Sequence, residues 1–226
     1  LRASVNCQLS TVNCFRRGFS LIELLIVISL FALVAVVVSV SFIGYETREQ
    51  VKNAALNLKT DIRLAQNQAK TGDKGLVGSN CASTSTLAGW YVNVATAGTS
   101  YSVGGICLTP NGVGSCTTAG GCEAYIGTPR TVSLPTGVAI SDISYGGVTK
   151  PTALIFFRPI EYITTFHAGN PPTFFNDTTG VLSNPLDTTD ITFVSSADLV
   201  VTLTAADGGS FEVKVTRFGN IEEKKI

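Results

Sequence analysis

Two hydrophobic patterns follow one another along the chain. From Leu24 to Ile43 the residues are apolar apart from three serines, and Glu23 lies at the start of this run. About 20 residues form about 30 Å of helix, which is enough to cross the hydrocarbon core of a membrane. We therefore predict that residues 19–44 form the membrane half of a helix.

Beyond Tyr45 the apolar residues continue on one face only, and their spacing alternates between four and three, as in a helix with one buried face. These residues are Val51, Ala55, Leu58, Ile62, Ala65 and Ala69. Charged residues occupy other faces: Arg48, Glu49, Lys52, Lys59, Asp61 and Arg63. No proline interrupts the helix, and Thr71-Gly72-Asp73 supplies a stop. We expect one helix over residues 19–71, with residues 45–71 packed on a domain.

After residue 72 the sequence changes to short apolar runs separated by turns, which are typical of antiparallel strands. The predicted strands are residues 90–94, 101–108, 132–134, 138–143, 153–157, 191–194, 199–204 and 211–216. The predicted connections are a hairpin turn at 95–100, a loop at 110–127, an insertion at 166–190, and turns at 207–209 and 219–220. This order predicts an α+β fold, with one long amino-terminal helix packed on an antiparallel sheet.

The junction before the apolar run carries a basic pair and a glycine, in the order Arg16-Arg17-Gly18-Phe19, followed four residues later by Glu23. No small-residue cleavage site of the ordinary secretory kind follows the run. The junction resembles the amino-terminal motif of type IV pilins and type II secretion pseudopilins. The resemblance implies a pilin-like fold, cleavage after Gly18 by prepilin peptidase, N-methylation of Phe19, and assembly directed by Glu23.

Later segments are similar to minor pilins and minor pseudopilins of the H and U types. They are residues 58–69, Ile155-Phe156-Phe157 and Phe218-Gly219-Asn220-Ile221. The chain departs from many major pilins at Val40, where those proteins have a proline midway along the membrane helix.

Four regions follow from the motif: a leader (1–18), the transmembrane and assembly half of the helix (19–44), its amphipathic half (45–71), and an extracytoplasmic β domain (72–226). Arg16 and Arg17 should stay cytoplasmic by the positive-inside rule. We therefore expect a single pass through the bacterial inner membrane, a periplasmic carboxyl-terminal domain, and an extracytoplasmic filament after assembly. The chain begins at Leu1 and contains no methionine, so we expect a fragment or an alternative initiation codon.

The charge balance gives no reason to expect a nucleic-acid partner. The full chain is formally neutral, and the leader would remove Arg2, Arg16 and Arg17, which leaves a net charge of −3. At the carboxyl terminus, Lys224-Lys225 follow Glu222-Glu223, so the local charge cancels. DNA binding would require an uncompensated basic patch. The expected partners are prepilin peptidase, other pilin or pseudopilin subunits, the inner membrane, and platform proteins of a pilus or secretion system.

The cysteines predict disulfides in the exported domain. Cys7 and Cys14 lie in the leader, and the four downstream cysteines are Cys81, Cys107, Cys116 and Cys122. An even number outside the cytoplasm indicates two bridges, and sequence alone leaves three pairings open. Cys81–Cys107 with Cys116–Cys122 is one of them. No Cys-x-x-Cys pair occurs, and the single histidine is distant in sequence, so we expect no metal and no cofactor.

No arrangement of catalytic residues is recognisable, and we expect that the protein is not an enzyme. His167 falls in a predicted loop, where a packed or solvent-facing histidine is more typical than a general base. The glycine pairs at 104–105 and 120–121 lack the helix and lysine of a phosphate-binding loop. Two functions remain: a structural filament subunit, and a membrane-anchored ectodomain that binds a ligand or DNA in adhesion or DNA uptake.

Overall fold

The computed structural model describes residues 20–75, 81, 85–108, 123–159, 164–168, 175–176, 181–182, 197–206 and 208–226. The chain divides into two compact units, one that ends at Ile43 and one from Gly44 to Ile226. The described part contains one helix, α1 (Leu21–Thr71), followed by short strands. The strands are β1 (Thr86–Ala95), β2 (Ser100–Leu108), β3 (Glu123–Tyr125), β4 (Arg130–Ser133), β5 (Val138–Tyr145), β6 (Val148–Thr149), β7 (Thr152–Phe157), β8 (Thr164–His167), β9 (Phe175–Asn176), β10 (Val181–Leu182), β11 (Leu199–Ala205), β12 (Ser210–Val215) and β13 (Ile221–Lys225).

Two antiparallel sheets build the second unit. Sheet 1 has the order β3-β2-β1-β7-β8, and β4 pairs with the free part of β2. Sheet 2 has the order β13-β12-β11-β5-β6, and β9 with β10 forms a separate pair. One helix followed by antiparallel sheets confirms the expected α+β, pilin-like fold class.

The second half of α1 buries the face that the sequence predicted. All six residues of that face, from Val51 to Ala69, are at most 1 % exposed, and they share one core with the inner residues of both sheets. The helix ends as expected at Thr71: Gly72 has a positive φ of 68°, and the Asp73 amide donates to the Gln68 carbonyl. This is the geometry of a glycine-terminated helix, in which a left-handed residue lets the amides that follow it donate to the unpaired carbonyls of the last turn.

Strand burial follows the period of two. In β11, Leu199, Val201, Leu203 and Ala205 are buried and the residues between them are half-exposed, which confirms the prediction of a half-buried strand. Sheet 1 instead buries residues on both faces. Its second face carries a separate cluster: Ala88, Tyr91, Ile106, Leu154 and Phe156.

Polar side chains of α1 cover the outer edge of sheet 2. Lys59 forms an ion pair with Glu223 in β13, Arg63 Nη2 donates to the Ile221 carbonyl (3.4 Å), and Gln66 Nε2 donates to the Gly219 carbonyl (3.2 Å). An edge strand exposes unpaired backbone groups that invite pairing with another chain. The helix therefore protects the edge at β13.

The predicted hairpin at 90–108 is confirmed as β1 and β2, whereas six short strands were missed: β3, β6, β8, β9, β10 and β13. β3 lies inside the predicted loop 110–127, β8 opens the predicted insertion 166–190, and β13 follows the predicted final turn. β3 has three residues and β13 has one buried side chain, so neither shows an alternating pattern. The predicted strand 191–194 lies outside the described residues.

Candidate functional site

The apolar segment Leu21–Val38 is the most unusual surface of the described chain. Its mean hydropathy is 3.1, and its large apolar side chains are between 42 % exposed at Val27 and 78 % exposed at Leu21. By length and composition this stretch could cross a membrane. Exposed apolar patches on this scale mark contacts with a membrane or another protein.

The one serine within this segment is satisfied locally. Ser29 Oγ donates to the Ile26 carbonyl over 2.8 Å, one turn back along the helix. A serine that returns its hydroxyl to the backbone adds little cost in an apolar environment. The segment is therefore suited to an apolar environment over its described length.

Glu23 lies in the first turn of α1 and is the only charged side chain in Leu21–Val38. Its backbone amide donates to the Ser20 carbonyl (3.0 Å), and the Leu24 amide donates to the same carbonyl (3.1 Å). A carboxylate in this position is favoured by the positive end of the helix dipole. Within residues 20–75 and the other described parts, Glu23 forms no ion pair. Gly18 and Phe19 lie outside the described residues.

A polar site that the sequence did not reveal lies in the second unit. Asp61, assigned from the sequence to a charged face, is 9 % exposed. The Tyr101 hydroxyl donates to Asp61 Oδ2 (2.7 Å), and Arg130 Nη2 donates to Oδ1 (2.5 Å). Burial, the hydrogen bond to Asp61 and its negative charge together raise the pKa of Tyr101 above its usual value of about 10. The sequence had placed Asp61 on a face other than the buried one, and its burial shows that this placement was wrong.

The position of Asp61 explains why its burial was not predicted and which feature of the sequence could have indicated it. It precedes Ile62 and follows Leu58 by three residues, so it lies at the margin of the buried face. Its partners are 40 and 69 residues away in sequence. The cluster joins the helix to β2 and β4 through one carboxylate, one phenol and one guanidinium group.

His167 is not in a loop, as the sequence suggested, but in β8, where it is 1 % exposed. Its Nε2 lies 2.9 Å from Thr165 Oγ1, and its ring meets the edge of Phe156. The histidine is thus packed, which was one of the two expected environments. Among the described residues no group of three or more histidine, cysteine or acidic side chains could hold a metal.

One of the predicted disulfides is present. Cys81 is bonded to Cys107, and both cysteines are buried. The bridge ties the segment after α1 to β2, close to the place where Trp90 Nε1 donates to the Asp73 carbonyl (2.9 Å). Cys116 and Cys122 lie outside the described residues.

Comparison with known proteins gives one match. A family model described as the prokaryotic N-terminal methylation motif matches residues 15–39. No curated protein and no solved structure matches the chain. The motif is that of type IV pilins and pseudopilins, which confirms the resemblance predicted at the amino-terminal junction, whereas the H and U subtypes stay a prediction.

Three general conclusions follow from the motif. The motif supports a pilin- or pseudopilin-type substrate of prepilin peptidase, and proteins with this motif are structural subunits that assemble with one another. The apolar helix and the motif together fit a membrane-anchored pilin. The motif covers the exposed segment and Glu23, whereas Asp61 and its partners lie outside it.

Proposed function

We propose that this chain is a structural subunit of a type IV pilus or a type II secretion pseudopilus, cleaved after Gly18 and N-methylated at Phe19. The observation that carries the proposal is the coincidence of the methylation motif at residues 15–39 with the exposed apolar segment Leu21–Val38. The similarity to H- and U-type proteins favours a minor subunit without catalytic activity of its own.

The proposed organisation follows the motif. Residues 1–18 form a leader, 19–44 the membrane and assembly half of the helix, 45–71 the amphipathic half, and 72–226 the extracytoplasmic domain. Arg16 and Arg17 hold the leader in the cytoplasm, which makes the segment a single pass with a periplasmic domain. Platform proteins of the pilus or secretion system are the additional partners.

Glu23 has a defined role in this proposal. Cleavage after Gly18 creates a positive amine on Phe19, four residues before Glu23, hence on the same side of a helix. Packing apolar helices together without a counter-charge would bury that amine unpaired, which costs about 3–5 kcal/mol. Glu23 of one subunit neutralises the Phe19 amine of its neighbour and sets the axial register, while the apolar side chains supply the cohesion between helices.

The test replaces Glu23 with glutamine and measures the amount of subunit in sheared filaments at equal cellular levels. We expect cleavage to remain normal and incorporation to fall by a factor of several hundred, from the cost of the unpaired amine at about 1.4 kcal/mol per tenfold. Glu46→Gln is the matched control, because Glu46 is an exposed glutamate on the same helix with no ion pair among the described residues.

Equal incorporation of Glu23→Gln and Glu46→Gln would contradict the role of Glu23. Wild-type protein that never enters filaments, and that extracts in detergent as a monomer, would instead support the anchored ectodomain and overturn the structural assignment.

A further inference from the structure

The basic residues of α1 within the second unit form one stripe. They recur at spacings of four, seven, four and seven, which keeps them on one side of a helix with 3.6 residues per turn. They are Arg48, Lys52, Lys59, Arg63 and Lys70, and all are exposed or half-exposed. Lys52 pairs with Glu49 and Lys59 with Glu223. Among the described residues, Arg48, Arg63 and Lys70 form no ion pair, so the stripe keeps a net positive charge.

Beside this basic stripe runs an uncharged stripe that faces away from the core. It comprises Asn53, Leu56, Thr60, Leu64, Asn67 and Thr71, at spacings of three or four. Leu64 is 45 % exposed. The outer side of an amphipathic helix in solution normally carries charges. Depletion of charge together with exposed apolar side chains is typical of the centre of a protein–protein interface.

The outer face of sheet 2 is acidic, and so complements the basic stripe of α1 in charge. Glu212 and Asp142 lie on either side of Thr202 across the strands, and Glu222 lies opposite Lys214. Lys214 is already paired with Asp198, at 2.7 Å. The remaining basic residue on this face is Lys224, opposite Glu212. Acidic groups therefore exceed basic groups on a flat face whose centre is formed by Val200, Thr202 and Thr204.

The two surfaces lie on different sides of the same unit. The helix packs against the inner residues of sheet 2, such as Val201 and Val213, whereas Thr202 and Glu212 alternate with them and point outward. A surface on one side that fits a different surface on the other makes a heterologous contact, and repetition of a contact that does not close gives a filament.

We propose that the basic and uncharged stripes of α1 dock on the outer face of sheet 2 in a second copy of this chain, so that copies of this subunit lie next to one another in the filament even where it is a minor component. The proposal rests on the filament-subunit function above and adds the contact between its domains. A lipid surface fits less well, because the basic residues extend over 22 positions along the helix instead of gathering at one end. A nucleic acid fits less well, because no aromatic side chain occurs among the two stripes to stack on bases.

The contact can be located by cross-linking in intact filaments. Leu64→benzoylphenylalanine places a photo-reactive group on the uncharged stripe. Thr128→benzoylphenylalanine is the control, because Thr128 is exposed and lies in the connection between β3 and β4 of sheet 1, outside both surfaces. We expect irradiation of the first variant to give homodimers whose cross-linked peptide comes from β5, β11 or β12. The control should give none with those strands.

Charge reversal tests the electrostatic part. Arg48→Glu with Lys70→Glu, or Glu212→Lys with Glu222→Lys, should each lower incorporation about tenfold, because each places like charges opposite one another. Co-expression of the two double variants should restore incorporation, because the reversed stripe of one meets the reversed sheet of the other. Lys150→Glu should incorporate normally, because Lys150 follows β6 at the edge of sheet 2 opposite β13 and is not among the charged residues of the two surfaces.

Any other result of these two experiments would contradict the proposed contact between the helix and the sheet. Cross-links from position 64 only to other proteins, to lipid or to nucleic acid would overturn it, as would undiminished incorporation of both double variants or failure of co-expression to restore it. Wild-type protein absent from filaments would overturn the proposed function and this contact together, whereas normal wild-type incorporation with those results would overturn the contact alone.

Discussion

The two halves of α1 use apolar residues in opposite ways. From Leu21 to Val38 the apolar side chains surround the helix, and each large one is at least 42 % exposed. From Val51 to Ala69 they occupy one face, and each residue of that face is at most 1 % exposed. The second half buries its hydrophobic face within its own domain, whereas among the described residues of the other unit the first half leaves its large apolar side chains exposed.

This difference shows where each half derives its stability. Burial removes apolar surface from water at about 25 cal/mol per Å², so the second half contributes directly to the folding of the domain. The first half exposes its large apolar side chains, a surface suited to contact with lipid and with neighbouring helices. Substitutions that are equivalent in chemistry should therefore have different consequences in the two halves.

The largest expected effect comes from removing one leucine side chain in each half. Leu58→Ala should lower the free energy of unfolding of the domain by about 2–5 kcal/mol, because Leu58 is fully buried and a cavity remains. Leu25→Ala should leave it unchanged, because Leu25 is 55 % exposed. Urea titration of the full chain in detergent, followed by Trp90 fluorescence, measures both. Equal losses would contradict the separation of roles.

A smaller effect is expected where the second half meets the β12–β13 turn. Gly219 has a φ of 77°, and a Cβ there would lie 2.1 Å from Gln66 Nε2. Gly219→Ala should cost about 1–2 kcal/mol for the left-handed backbone and about 1 kcal/mol for the displaced Gln66 hydrogen bond. Gly208→Ala, with a φ of 87° and open space around it, should show only the backbone cost.

A double-mutant cycle isolates the contact in that comparison. In a Gln66→Ala background, Gly219→Ala should lose its excess over Gly208→Ala, since the displaced side chain is already absent. An excess that persists would show that the turn, and not its contact with the helix, is responsible.

The smallest effect is a pH dependence of the Asp61 cluster. The folded domain keeps Tyr101 protonated above its usual pKa of about 10, so its contribution is complete below pH 10 and declines as pH rises further. The stability advantage of wild type over Tyr101→Phe should shrink by at most about 1.4 kcal/mol per pH unit above pH 10. Unfolding titrations between pH 8 and 11 measure this, and a constant difference would contradict it.

The features that the sequence predicted correctly are local in the chain. The buried face from Val51 to Ala69 repeats with the helical period, the hairpin of β1 and β2 is continuous, and the methylation motif occupies one uninterrupted stretch. Each of these signals depends on neighbours within a few residues, so it can be recognised without a three-dimensional structure.

The features that it missed depend on distant partners. The burial of Asp61 is explained by Tyr101 and Arg130, 40 and 69 residues further along. β13 carries four charged residues after Ile221, and it is a strand because β12 and the side chains of α1 hold it. Long-range contacts of this kind produce no periodic pattern in the sequence, so the elements that depend on them cannot be predicted from it.

The most direct test of the account is the mass of the intact protein recovered from membranes and from sheared filaments. We predict a chain that begins at Phe19 and carries one methyl group, and a full-length precursor when prepilin peptidase is absent. Gly18→Ala should be cleaved and Gly18→Val should not, because the peptidase needs close access to the backbone at that bond. A wild-type protein that keeps the residues before Phe19 in cells with active peptidase would contradict the assignment as a processed pilin-type subunit.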